Sequence, residues 1–317
     1  MQGTIDGFRY GAVTPVAAYL TACLGGALGL RCIVRSMLDE QSWKAGWLAL
    51  GAASIGSGIW TMHFIAMLGF QVAETGIRYD RGLTLVSLAV AIVVVGIGVF
   101  IVGYRGSGKV TLAVAGVITG TGVAVMHYLG MAAMRMNGDI RYATLPVVLS
   151  VVIAVVAATA ALWAAVTVRG FMTSLGASLV MGVAVSGMHY TAMAAVSVQV
   201  HGNGAGTWSG DSPSSLLLPM LLGPAVFLLL AGVVVMFDPL LVLGAGEWSG
   251  SAPAPRPGPA AASRRPSAAG APPEPAPEHG TARFQGPVAA ARPRRADHGA
   301  ASPATPRWAP PPTSDEW

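Results

Sequence analysis

Seven stretches of 21 to 26 residues contain no Asp, Glu, Lys or Arg, and they leave few ways to fold the chain. They are Tyr10–Leu30, Ala45–Phe70, Leu83–Tyr104, Val110–Met134, Thr144–Val168, Met172–Ser197 and Ser215–Phe237. A helix needs about 20 predominantly apolar residues to cross a hydrocarbon core of about 30 Å, at about 1.5 Å per residue. In lipid every backbone polar group must be paired within the protein, and runs of this length meet that demand as helices. Composition agrees: 10% of the residues are charged, against about 25% in soluble domains, too few to coat a globular surface. The expected class is an all-α membrane protein with seven transmembrane helices in a lipid bilayer.

The polar residues fall in the connections, at 31–44, 71–82, 105–109, 135–143, 169–170 and 201–213. The first stretch does not read as a cleavable leader, because Asp6 precedes it and no small-x-small site ends it. One side of the membrane receives Arg31, Arg35, Lys44, Arg105, Lys109 and Arg169; the other receives Arg9, Arg78, Arg81, Arg135 and Arg141. The positive-inside rule therefore puts the N-terminus outside and the C-terminus in the cytoplasm, by a narrow margin. Residues 1–240 form the membrane domain. Residues 241–317, rich in Pro, Ala and Arg, are expected to be a disordered cytoplasmic tail, since they bury too little apolar surface to offset their ordering entropy. Arg264, Arg265, Arg292, Arg294 and Arg295 in that tail are solvated and within reach of anionic head groups. The formal net charge of +5 is thus no sign of nucleic-acid binding. Cys23 and Cys32, nine residues apart, point to opposite helix faces and read as small apolar filler.

One pattern recurs in the even-numbered helices. The second holds Met62-His63-Phe64-Ile65-Ala66-Met67, the fourth Met126-His127-Tyr128-Leu129-Gly130-Met131, and the sixth Met188-His189-Tyr190-Thr191-Ala192-Met193. The shared form is Met-His-aromatic-x-small-Met. The histidines are 64 and 62 residues apart, one helical hairpin each, so the chain reads as three helix pairs plus a seventh helix. Each histidine shares a helix face with the methionine four residues on. The preceding methionine lies about 100° round, and the small residue leaves room for a neighbouring helix. Even helices run in the same direction. The three histidines therefore lie at one depth, about 10 Å below the membrane surface at the outer face.

Ionisable groups inside a membrane are costly and face a bundle interior or a cavity. Three imidazoles at one level with six thioethers around them make a candidate metal site: His63, His127, His189, Met62, Met67, Met126, Met131, Met188 and Met193. Imidazole suits copper, and thioether is a soft ligand that favours Cu(I). The seven helices contain no carboxylate, which argues against calcium or magnesium. Zinc held by three histidines and a water stays open, but gives no reason for the repeated methionines. Phe64 lacks the hydroxyl of Tyr128 and Tyr190, so hydrogen bonding there is not threefold.

These residues resemble the MHYT family of bacterial integral membrane sensor domains, over about residues 8–240. Met188-His189-Tyr190-Thr191 spells the family motif outright. The resemblance implies seven helices with three motif-bearing hairpins. It also implies copper bound by the motif His and Met residues near the outer face, sensing oxygen, carbon monoxide or nitric oxide. Many relatives carry cytoplasmic cyclic-dinucleotide enzyme or kinase domains after the seventh helix. Here the tail follows Asp238, so output is expected from a separate cytoplasmic partner and no catalysis from this chain.

Copper handling or transport is the alternative, since soft ligands near the outer face suit capture. It calls for further ligands along a path, and the other halves of the helices have no His or Met layer of comparable regularity. Retinal needs a lysine within a helix, whereas Lys44 and Lys109 stand at helix borders. Haem ligation is chemically allowed but fits three equivalent histidines less naturally. No nucleophile, base and orienter cluster marks an enzyme. Arg105-Gly106-Ser107-Gly108-Lys109 is too short for a phosphate loop and reads as a turn. His201 belongs to a Gly-rich outer loop and is solvated. Gly25 with Gly29, and Gly116 with Gly120, give close-packing faces that suit contacts within or between chains.

Overall fold

The computed structural model describes residues 2–7, 9–38, 43–201 and 213–238; the tail at 241–317 lies outside the described residues. Seven helices stand among them: α1 (Val13–Leu38), α2 (Lys44–Leu68), α3 (Arg81–Arg105), α4 (Lys109–Ala132), α5 (Thr144–Thr167), α6 (Phe171–Met193) and α7 (Pro213–Met236). All seven are long and apolar enough to cross a membrane. The protein is multi-pass, and its membrane part is three helical hairpins plus a seventh helix.

Two expectations about helix ends need correcting. Leu30 does not end α1; it continues to Leu38 through two arginines expected in a connection. Both arginines find partners along the helix. The Arg31 guanidinium lies 5.6 Å from the Phe171 ring centre, and Arg35 lies 5.2 Å from that of Trp47 and 3.0 Å from the Asp238 carboxylate. At the other end, α4 and α6 stop at Ala132 and Met193, before Met134 and Ser197, because the following residues enter strands.

Those strands were not foreseen. They are β1 (Ile5–Asp6), β2 (Gln71–Val72), β3 (Arg78–Tyr79), β4 (Met134–Arg135), β5 (Gly138–Tyr142) and β6 (Val196–Val200). They pair antiparallel as β1–β2, β3–β4 and β5–β6. Each pair joins the segment entering an odd helix to the segment leaving the next even helix. A backbone bond repeats the same closure: Arg9 to Gly69, Asp80 to Ala133, and Ala143 to Ala195, the first residue of each pair donating. The repeat is therefore β-α-α-β, and all three strand pairs cap the end of the bundle where the histidines lie.

The six helices of the three repeats close into a ring in chain order, with α6 packing back on α1. α7 lies against α2 and α1. The glycine faces serve contacts within this chain. A Cβ on Gly25 would stand 2.6 Å from the Ser54 carbonyl oxygen and 2.7 Å from Gly58 Cα, so α1 and α2 touch backbone to backbone there. On α4, Gly120 lies as closely on the α5 backbone at Val155. Such contact supplies the dispersion that holds helices together where lipid offers no hydrophobic drive. The buried Trp60 of α2 adds a polar tie, donating to Ser87 Oγ of α3 at 2.9 Å.

Candidate metal centre

His63, His127 and His189 stand five, five and four residues before the ends of α2, α4 and α6. That depth is about 6–8 Å at 1.5 Å per residue, shallower than the expected 10 Å because the helices end earlier. Each is 1% exposed. Ring closure brings them together: Nδ1 of His63 is 3.1 Å from Nδ1 of His127 and 3.1 Å from that of His189, and the third edge is 3.3 Å. Among the described residues these three side chains are the group of His, Cys and carboxylate ligands placed to hold a metal ion. The centre of the triangle lies about 1.8 Å from each nitrogen, within a few tenths of an ångström of the bond that a first-row ion makes to imidazole, about 2.0–2.1 Å.

Hydrogen bonding alone does not satisfy this triangle. A neutral imidazole Nδ1 either carries a proton or presents a lone pair. With three mutual contacts, at least one pair must face like to like. A cation at the centre removes the conflict, because all three nitrogens then present lone pairs and carry their protons on Nε2. The Nε2 atoms of His63 and His127 are buried without a hydrogen-bond partner among the described residues. Metal-bound histidines usually donate that outer N–H to a carboxylate or carbonyl. At His63 and His127 ring packing stands in its place.

The packing is specific. A Cβ on Gly130 of α4 would stand 2.5 Å from His63 Nε2, so the small residue of one repeat makes room for the imidazole of another. Each histidine also lies edge-on to the aromatic residue after it, at 4.7 Å for Phe64, 5.0 Å for Tyr128 and 5.0 Å for Tyr190 between ring centres. Tyr128 bonds Ser150 Oγ at 2.9 Å. Phe64 packs on the buried ring of Tyr79, a residue that motif reading missed. Its signal was a spacing: Phe64 to Tyr79 is 15 residues, and Tyr128 to Tyr142, also in ring contact, is 14. Burial raises the pKa of Tyr79, which keeps that phenol neutral.

The motif methionines belong to the apolar core of the bundle. Met62, Met67, Met126, Met131 and Met188 are buried and Met193 is half-buried. Met67 and Met193, with Ala66, Phe70 and the strand residue Ile5, line a cavity of about 290 Å³ that reaches His189. Met188 lines a separate internal cavity. His201 stands apart, exposed and 3.3 Å from the Asp139 carboxylate. Cys23 and Cys32 are buried free thiols. The glycine-rich segment at 105–109 is the turn between α3 and α4, with Gly106 at φ 78°.

Residues 56–115 and 120–178 match the family described as the bacterial signalling protein N-terminal repeat, MHYT. The chain carries MHYT repeats. The two matched segments contain His63 and His127, and the geometry adds His189 as the third of a set. Over 191 residues the chain is 39% identical to the bifunctional diguanylate cyclase/cyclic di-GMP phosphodiesterase MucR of Pseudomonas aeruginosa, covering 59% of this chain and 28% of MucR. Over 210 residues it is 35% identical to the cyclic di-GMP phosphodiesterase NbdA of the same organism, covering 63% of this chain and 27% of NbdA. The chain thus spans little more than a quarter of the length of these relatives. No solved structure matches it.

Proposed function

We propose that this MHYT-repeat protein is a membrane sensor that holds copper on His63, His127 and His189 and responds there to a diatomic gas. The convergence of three buried Nδ1 atoms within 3.3 Å carries the reading. Copper is favoured over zinc by the thioethers that stand in register with each imidazole, Met62, Met67, Met126, Met131, Met188 and Met193. Bound copper would supply a centre to which oxygen, carbon monoxide or nitric oxide can attach. The protein's own part is to orient the three imidazoles through Gly130 and the edge-on aromatic rings. It also admits a ligand through the cavity at His189 and keeps bulk water out of a core of thioethers and aliphatic side chains.

The histidine end faces outward in this reading, with the C-terminus in the cytoplasm. The opposite end carries the slightly richer set of Lys and Arg. A ligand shifts a conformational balance only through different affinity for two states. The output is read by a cytoplasmic partner. The names of MucR and NbdA make cyclic di-GMP enzymes the first partners to test. The test of the site is metal content and optical spectrum of the purified protein, with and without nitric oxide or carbon monoxide, beside His63→Ala/His127→Ala/His189→Ala. Equal copper in both proteins overturns the site.

Copper handling is the second reading, favoured by the two motif methionines that line the cavity reaching His189. Against it, the residues one turn beneath the histidines are Ile59, Val123 and Val185, none of which can ligate a metal. Cellular copper measured with and without the protein separates the two; a clear difference selects handling.

A further inference from the structure

Beneath the histidines the bundle axis opens into an apolar cavity of about 40 Å³. Its lining follows the repeat. Four residues before each histidine stand Ile59, Val123 and Val185, and eight before stand Ile55, Thr119 and Met181; all six line the cavity. On a helix those positions lie on the histidine's own face, about 6 and 12 Å deeper. The cavity is therefore coaxial with the nitrogen triangle, and Met188 lines it as well.

The void has a cause in the sequence. Towards the cavity α1 offers Leu30 and Ile33, and α3 offers Val95 and Val99, whereas α5 offers Leu162 and otherwise only alanines, among them Ala157 and Ala161 at the four-residue spacing of the α3 valines and Ala158 between them. α5 is thus short of side-chain volume where α1 and α3 present branched residues. These three alanines are only half-buried, so the thin wall of the cavity is also the wall nearest to lipid, in which apolar gases dissolve.

Water is a poor occupant. It needs about 10–15 Å³, which is present, but also two to four polar partners. Thr119 is the polar residue of the lining, and its hydroxyl is buried with no hydrogen-bond partner among the described residues. Apolar cavities with so little polarity stay dry and take up xenon or small apolar molecules.

We propose that this cavity binds a small apolar gas molecule one helical turn below the histidines, as a docking chamber from which such a ligand reaches the metal centre. Its role in sensing rests on the metal-and-gas reading above; its capacity to bind gas does not. The probe is xenon, followed by 129Xe NMR on the full chain in nanodiscs. The variants are Ala157→Val/Ala161→Val, which gives α5 the side chains of α3, and Leu162→Ala, which enlarges the cavity. Saturable xenon binding is expected, weakened about tenfold or more by the valine pair and not weakened by Leu162→Ala. In copper-loaded protein the valine pair slows carbon monoxide association after flash photolysis while copper content stays the same. Xenon uptake no greater than that of empty nanodiscs, or equal uptake by the valine pair, overturns the proposal. Xenon binding that persists in the triple histidine variant supports the cavity even if copper proves absent, so the two readings fail separately. If the valine pair does not fold, Ala161→Val alone and Leu162→Ala bracket the wild type from both sides.

Discussion

Gly130→Ala adds one methyl group to a neighbouring helix and is expected to weaken metal binding far more than it weakens the fold. The new Cβ would lie 2.5 Å from His63 Nε2, 3.0 Å from His63 Cδ2 and 3.3 Å from Phe64 Cζ. Ordinary contact begins near 3.4 Å, so the imidazole must give by about 0.9 Å. It cannot swing aside freely, because it is 1% exposed and boxed by the Phe64, His127 and His189 rings at 4.7 to 5.1 Å. The nitrogens stand only about 1.8 Å from their common centre, so this displacement is about half of that radius. Disturbing what orients a histidine ligand typically costs 10- to 100-fold in metal affinity, and that is the loss expected here. The fold suffers less. Overpacking costs about 1–3 kcal/mol, while replacing a helical glycine by alanine returns about 1 kcal/mol. Competition against a chelator gives the affinity, and thermal unfolding in the same detergent gives the stability. Gly187→Ala is the matched control: it stands two residues before His189, and its Cβ would meet nothing within 4 Å. Unchanged affinity in a folded Gly130→Ala protein, or an equal loss in Gly187→Ala, refutes the reasoning.

Ser87→Ala leaves the buried Trp60 Nε1–H, now bonded at 2.9 Å, without an acceptor; a loss of about 1–3 kcal/mol is expected in thermal unfolding, and no loss would mean that the α2–α3 contact does not depend on this bond. Asp238→Asn removes the carboxylate 3.0 Å from Arg35 at a site where both side chains are about one-eighth exposed; a loss of about 1–2 kcal/mol and faster amide exchange at the end of α7 are expected, and wild-type exchange there would show that the pair does not hold α7. At the strand end, Glu74 accepts from the Thr4 side chain and from its N–H at 2.8 Å, which holds the carboxyl below its ordinary range. A depressed carboxyl contributes above its unfolded pKa and is lost as pH falls through the folded value, so exchange of the Thr4 amide should rise only once the pH falls below the ordinary carboxylate range, and Glu74→Gln should flatten that profile.

The spans and the repeat were legible because both are local patterns: charge-free runs of fixed length, and one hexapeptide in three registers. Depth followed from topology, since helices two apart in an alternating bundle run the same way. Convergence did not follow. It depends on the ring closing between α6 and α1, a contact across most of the chain. The strands escaped because four of the six are two residues long and carry no period. β6 did carry one: Val196, Val198 and Val200 are buried, while Ser197 and Gln199 between them are half-buried and exposed. Its first residues lay inside an apolar run and were absorbed into a helix. Arg31 and Arg35 misplaced the end of α1 because their partners, Phe171, Trp47 and Asp238, all lie outside that helix. The axial cavity was written in the alanines of α5, but only the alignment of α5 with α3 around a common axis turns small residues into a void.

The motif is threefold, yet its frame is not, and the difference falls on the histidines. His63 stands on α2, the helix against which α7 packs, and its outer nitrogen is sealed by Gly130 of another repeat. His127 is also sealed, and the tyrosine beside it is tied to Ser150. His189 alone of the three lines the cavity of about 290 Å³ that the N-terminal strand borders. Three chemically equal histidines are therefore mechanically unequal: one lines an open cavity, one stands beside an anchored tyrosine, and one rides on the helix on which α7 packs. A fully symmetric cage would spread any change at its centre over three hairpins alike. In this frame His63 is carried by α2, the helix on which α7 packs. Coupling between His63 and α7 needs an element with two arrangements that the site biases. The contact of α7 with α2 and α1, pinned at one end by Arg35 and Asp238, is the element in this fold whose position is not duplicated by the repeat.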